Sequence, residues 1–278
     1  ARREGEGASE QERDASTLIR DIPSDAVASV PEGFCLARSM QQAGTRVAVA
    51  EIPATPLADA TQVSGGAKLL ADQAACPFRA FARHRLAARP LEAPHDGLDA
   101  AERGELLHRA LFLVWRALKD SRALVALETP ALQSLVNDAV VHAIADARAT
   151  GAECLIGRFA EIERLRLESL LMQWLQYERE RSTFTVVASE APQQVSFGGL
   201  RMELRLDRMD QLEDGTHALI DYKTGKAQLE SWLGERPDEP QLPLYALTCE
   251  HEIAALAFAR VKRGARGKSV GFNGISIV

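Results

Sequence analysis

The hydrophobic period of this chain changes once, near residue 182, and that change constrains the fold more than any other feature. Before it, "AERGELLHRALFLVWRALK", from about Ala101 to Lys119, carries Leu107, Leu111, Val114, Trp115 and Leu118 at spacings of 4, 3, 1 and 3. That spacing makes one apolar stripe on a helix. Two further helices are expected over about 131 to 148 and about 155 to 180, the second with a polar face rich in Arg and Glu. "GAKLLADQAACPFRAFARHRL" reads as helical up to Pro77 and again after it, and "RPLEAPHDGLDAAE" as a loop. After residue 182 apolar and polar residues alternate, with "FGGL" and "EDGT" as turn signals. Strands are expected near 184 to 190, 193 to 197, 201 to 209 and 217 to 223, then a helix in "PQLPLYALTCE" and a strand in "AALAFARVK". A helix-rich half meant to cover a mostly antiparallel sheet with one further crossover is an α/β domain. No GxGxxG and no GxxxxGK[ST] occurs, so a nucleotide-binding doubly wound fold has no support.

Composition narrows the setting. With 278 residues and 46% hydrophobic content the chain can bury one large core or two modest ones. A formal charge of −6 argues against a generally basic, nucleic-acid-coating surface, so an anionic partner would need a local patch. Cys35, Cys76, Cys154 and Cys249 form no CxxC pair, which excludes a disulfide framework and a self-contained zinc or iron-sulfur site and fits a reducing, cytoplasmic setting. No apolar run approaches the roughly 18 residues of a membrane span, and "ARREGEGASEQERD" leads into no signal-peptide core. Residues 1–66, rich in Pro, Gly, Ser and Asp apart from a short strand in "TRVAVAEI", read as a linker, and 67–278 as the main domain. The missing initiating methionine suggests a piece of something longer.

The chemistry concentrates in "ALIDYKTGKA". Strand period two sets Asp221 and Lys223 on one face, roughly 6.5 Å apart, with Ile220 and Tyr222 on the other. In the preceding strand, "RMELRLDRMD", Met202, Leu204 and Leu206 alternate with Glu203, Arg205 and Asp207. The "EDGT" turn joins the two as a hairpin, and a suitable register lays Asp207 across from Asp221. Two carboxylates at that range repel and need a cation between them. Carboxylates with carbonyls and waters suit magnesium, and a histidine can complete the set, especially for manganese. A lysine beside them can orient an attacking water or stabilise charge on a phosphoryl oxygen, which is the chemistry of phosphodiester hydrolysis.

"LRLDRMD", "LIDYKTG" and "QLPLYAL", preceded by "CPFRAFARHRL" and "RGELLHRAL", together resemble the PD-(D/E)xK nuclease superfamily, in the branch of the RecB and AddB recombination nucleases and the Cas4-like exonucleases. The ordered motifs cover about residues 67 to 250. The resemblance implies a restriction-endonuclease-like core, a mixed central sheet flanked by helices with a helical N-terminal part. It implies a Mg2+- or Mn2+-dependent deoxyribonuclease that acts on DNA ends in recombination or double-strand break repair and leaves a 5′-phosphate. Residue by residue, His108 matches the helix histidine that ligates the metal, Asp207 the first strand carboxylate, also a ligand, and Asp221 and Lys223 the catalytic pair, Asp221 ligating as well. Gln241 and Tyr245, four apart on one helical face, match the helix that supports the site and touches DNA. Glu190, ending the first strand of the sheet, is a candidate either to support the ligands or to be one. Arg103 and Gly104 belong to the histidine motif, the glycine permitting close helix packing or backbone approach. Cys76 matches the first cluster cysteine of AddB and Cas4-like members, but only Cys249 follows, so no iron-sulfur cluster is expected here. Residues 1–66 would be the tail of an upstream helicase-like region, and a helicase the partner.

The remaining features have plainer readings. Trp115, Trp174 and Trp232 read as packing residues, and Cys76 as a small buried hydrophobe. Phe78 and Phe81 read as core, with stacking on single-stranded bases as the other use. The basic sets "FRAFARHRLAAR" and "VKRGARGK" read as solvated faces or phosphate contacts. Against the nuclease stand a catalytically silent DNA-binding or helicase-partner scaffold, which would lack one of the four site residues, and a small-molecule phosphohydrolase, which would need a closed pocket.

Overall fold

The computed structural model describes residues 56–58, 61–89, 97–262 and 270–276, all within the compact unit Pro56–Val278. The expected strand at "TRVAVAEI", most of the 1–66 linker and most of the "VKRGARGK" set lie outside the described residues.

Several helices begin where the sequence offers a start signal. Helix α1 (Ala67–Ala75) follows Gly66, and α2 (Pro77–Ala80) opens on Pro77, whose missing N–H is no loss at a first turn. The chain then widens into one π-helical turn, Phe81–Arg85, closed by the Leu86 N–H on the Phe81 carbonyl. Helix α3 (Ala100–Leu118) starts in a reciprocal capping box between Asp99 and Glu102. Its stripe of Leu107, Leu111, Val114, Trp115 and Leu118 is buried, as the spacing predicts. A short α4 (Ser121–Ala126) leads to α5 (Thr129–Ala149), with Pro130 in its first turn, and α6 (Gly157–Glu178).

The strands are β1 (Thr61–Val63), β2 (Phe184–Phe197), β3 (Leu200–Leu212), β4 (His217–Lys223), β5 (Ile253–Val261) and β6 (Val270–Ser276). The two strands expected over 184–197 are one, with a bulge between Val186 and Ala188. Gly198 and Gly199, both at positive φ, make the two-residue turn from β2 to β3. Asp214 accepts from the N–H and hydroxyl of Thr216 in the turn from β3 to β4. The sheet runs β1-β3-β4-β5-β6, with β2 on the other edge of β3. It is mixed: β1–β3 and β4–β5 are parallel, and the other pairs are antiparallel. The crossover from β4 to β5 carries a 3-10 turn (Leu229–Trp232) and helix α7 (Gln241–Thr248).

Two cores sandwich the sheet. On one face α3, α5 and α6 pack Leu111, Trp115, Val140, Leu171 and Trp174 against Phe184, Ile220, Tyr222, Ala259 and Val261. On the other, Trp232 and the α7 residues Leu242, Leu244 and Tyr245 pack against Met202, Leu204, Leu206, Leu219 and Phe258. The architecture is therefore α/β, a mixed central sheet flanked by helices, consistent with a restriction-endonuclease-like core. All three tryptophans are packing residues. Phe78 is not: 76% of its surface is exposed, which overturns its reading as core. On this short helix Ala80 is the buried position, and Phe78, two residues before it, lies on roughly the opposite face.

Candidate metal centre

A gap in one edge of β3 prepares the site. β1 pairs with Leu200–Met202 and β4 with Arg208–Gln211, so residues 203–207 have no strand partner on that edge. Side chains fill the gap instead. Asp207 Oδ2 accepts the Tyr222 N–H at 2.7 Å, and Gln241 Nε2, from the start of α7, donates to the Arg205 carbonyl at 2.9 Å. Unpaired main-chain groups of a sheet edge are thereby satisfied without a strand.

The gap coincides with a change of parity. Met202, Leu204 and Leu206 face the second core, and so does Met209, so Asp207 and Arg208 turn away from it in succession. Level with Asp207 on β2, Glu190 sits at φ 52, between the pairs Ser189↔Arg208 and Ala191↔Leu206. A left-handed non-glycine inside a strand costs about 1 kcal/mol or more and re-aims its side chain. The outcome is that two carboxylates from adjacent strands meet the imidazole of α3. His108 Nδ1 stands 3.5 Å from Asp207 Oδ2 and 3.7 Å from Glu190 Oε1. One donor atom from each of the three lies within 4.8 Å of the others.

His108 is oriented for that role. Its Nε2 is 3.0 Å from the Tyr222 carbonyl and donates to it, which turns Nδ1 toward the carboxylates. Tyr222 thus serves the site through its main chain, its N–H holding Asp207 and its carbonyl holding His108, while its side chain is buried in the first core. Glu190 is steadied by Arg205, Nε to Oε2 2.7 Å.

Asp221 and Lys223 share a face of β4, as strand period requires. Lys223 Nζ lies 3.0 Å from Asp221 Oδ2 and 2.9 Å from Glu239 Oε2. The Asp221 contact is off hydrogen-bond angle, so Oδ2 is a buried oxygen with no donor. Burial and the Asp207 charge push the Asp221 pKa up to about 7 despite the pull of Lys223. Burial draws His108 down, but Asp207 and Glu190 outweigh it and raise it to about 10. Burial likewise opposes the Lys223 charge, and Asp221 and Glu239 together hold it above the ordinary lysine value. Two acids and an imidazole nitrogen turned on one point, with the buried Asp221 carboxylate beside them, are the donor set of a divalent cation, and the residues fit one.

These groups line a cleft of about 1150 Å3 with Gly104, Arg109, Asp146, Arg205, Thr224 and Gln241. Of the expected residues, the structure brings His108, Asp207, Asp221, Lys223 and Gln241 to this cleft, and Glu190 joins them. The three converging donors are His108, Glu190 and Asp207; Asp221 stands beside them, held by Lys223. Tyr245 is 2% exposed in the second core and is absent from the cleft lining, so it does not meet substrate there. Its phenol is pushed up to about 12, by burial first and by the Asp207 and Glu190 charges. Gly104 has no packing need for glycine, since an added Cβ would meet only Thr224 Oγ1 at 3.7 Å. Arg103 pairs with buried Glu163 at 2.7 Å. Glu239, Arg205 and the Tyr222 main chain escape sequence reading, because no spacing rule links them to the acids they hold.

The sequence profile of the PD-(D/E)XK nuclease superfamily matches residues 68–269. The chain belongs to that superfamily. No curated protein matches it. Among solved structures, the crystal structure of SSO0001 is similar at 13% identity over 76% of this chain and 77% of that one, with a TM-score of 0.23. Among the described residues no helix is long and apolar enough to cross a membrane.

Proposed function

We propose that this member of the PD-(D/E)XK nuclease superfamily is a Mg2+- or Mn2+-dependent deoxyribonuclease of the RecB, AddB and Cas4-like branch, acting on DNA ends in recombination or double-strand break repair. The observation that supports it most is the convergence of His108, Glu190 and Asp207 on one point beside Asp221 and Lys223. His108, Glu190 and Asp207 would hold the cation, with the donor-free Oδ2 of Asp221 as a further ligand. When bound, a divalent cation supplies Lewis acidity at a phosphoryl oxygen and a lower pKa for water.

The chain's own residues supply the rest. Lys223, charged and anchored by Glu239, presents an ammonium to an oxygen that gains negative charge. Asp221, between the ammonium and the acids, fixes where Lys223 can reach. Gln241 holds the β3 edge that carries Asp207 and so keeps the donors in register. The reaction would run at a cytoplasmic site, with a helicase-like region of the same parent chain or a separate helicase delivering DNA.

The test is cleavage of end-labelled single- and double-stranded DNA with magnesium or manganese, comparing wild type with Asp221→Ala and Lys223→Ala. Each substitution is expected to lower the rate on the order of a hundredfold or more. Equal cleavage by all three proteins would reject the assignment.

A further inference from the structure

The π-helical turn and the helix before it are not used by the metal centre, yet they build an unusual surface. Asp72, 4% exposed, is shared by Arg79 (3.0 Å), Arg83 (3.1 Å) and His84 (2.9 Å). On the cleft, by contrast, acids outnumber their partners, as where Lys223 meets both Asp221 and Glu239. Here the acid is buried while Arg79 and Arg83 keep 42% and 40% of their side chains in solvent, so the surface carries surplus positive charge on a chain of net −6. Beside them Phe78 exposes 76% of its surface. π-helical turns are rare and occur often at functional positions.

Through His84 this surface borders a hollow that adjoins the cleft. That hollow, of about 650 Å3, shares Arg205 and Gln241 with the cleft and is lined by Ser64, Gly65, Gly66 and exposed Lys68. His84 packs so closely on Gly65 that a Cβ there would lie 2.2 Å from Nδ1, and Ser64 Oγ donates to the His84 carbonyl at 3.3 Å. Glu203, bonded by Gln194 at 3.1 Å, is the acid on the hollow's rim. A run of phosphates answers the cations, and a flat unpaired base answers the bare ring; a strand with unstacked bases offers both, and an acidic peptide only the first.

We propose that Lys68, Phe78, Arg79 and Arg83 form a holding surface for single-stranded nucleic acid, which grips the strand beyond the cleft through phosphates and one stacked base. The proposal rests on the nuclease reading of the cleft. Phe78→Ala and Lys68→Glu alter exposed side chains, so both variants should melt as wild type does. Binding is measured by fluorescence anisotropy in EDTA with strands of about 20 and about 5 nucleotides, a range that brackets common single-strand site sizes. Each variant is expected to weaken the long strand about fivefold or more and leave the short one unchanged. Lys68→Glu should also flatten the salt dependence, by about 0.7 in the log–log slope for each phosphate it no longer neutralises. With Mg2+, the variants should raise KM for the long strand and leave kcat alone. Unchanged long-strand binding in both variants, with wild-type cleavage intact, would overturn the holding surface and leave the cleft assignment standing. Displacement of the strand by poly-glutamate as readily as by unlabelled oligonucleotide, or equal affinity for duplex of the same length, would overturn the stacking. A wild type that binds neither length would overturn both the surface and the nuclease reading.

Discussion

Replacing Arg208 by Met is expected to destabilise the protein by about 3–5 kcal/mol, because it strips the central cation from a sealed charge network while filling most of its volume. Arg208 is 0% exposed. It donates to both oxygens of Asp210, to Glu178 at 2.7 Å and to the Tyr222 hydroxyl at 3.0 Å. Its guanidinium lies 4.0 Å above the Trp115 ring and 4.7 Å from that of Phe184. Glu178 and Asp210, both 0% exposed, would keep only Arg181, at 2.6 and 3.0 Å. One cation would then face two carboxylates in a sealed interior. Against a typical total stability of about 5–15 kcal/mol this is a large share. At about 2–4 °C per kcal/mol for a domain of this size, the melting temperature should fall by roughly 6–20 °C. Urea unfolding of wild type, Arg208→Met and Arg208→Met/Asp210→Asn measures it, and the double variant should recover at least about 1 kcal/mol by removing one stranded charge. The site should feel the loss as well, since Tyr222 holds both His108 and Asp207 through its main chain; the melting-temperature gain on adding Mn2+ should shrink in Arg208→Met. A destabilisation under about 1 kcal/mol, the level of an exposed ion pair, would refute the argument.

In EDTA, stability should decline as pH rises. His108 has a folded pKa raised to about 10, so the stability it contributes is complete below its unfolded value near 6.5 and is lost as pH climbs through 10. Asp221, raised to about 7 from 3.8, acts in the same direction between those values, because ionising it costs more in the folded state. Melting curves from pH 5 to 9 should show the decline, His108→Gln should flatten its alkaline part, and millimolar Mn2+ should oppose it by mass action. Glu190→Gly should be about 1 kcal/mol more stable than Glu190→Ala, since glycine removes the cost of φ 52, while both lose activity; equal stability in urea would show that the backbone there is unstrained. Gly104→Ala should keep activity and add about 0.5–1 kcal/mol in mid-helix, whereas Gly66→Ala should destabilise, its Cβ lying 2.6 Å from the Glu203 carbonyl oxygen at φ +51.

The chain's local patterns were enough to place most elements and to set Asp221 beside Lys223. The stripe on α3 and the alternation of β4 follow from covalent geometry, since a helix repeats every 3.6 residues and a strand every two, whatever surrounds them. Asp221 and Lys223 therefore had to share a face, and His108 had to sit beside a buried stripe. What periodicity could not supply was the break in it. The parity change at Asp207 falls where β3 is left unpaired over 203–207 between two neighbours that are far apart in sequence, β1 and β4, and the left-handed Glu190 stands level with it on β2. Glu190 as a converging donor, Tyr222 as a main-chain brace and Glu239 on Lys223 all depend on that gap or on the α7 crossover. Gly104, read as a packing glycine, and Phe78, read as core, fail for the same reason: spacing along a chain says which way a side chain points, but only the packed neighbours decide whether anything is there to meet it.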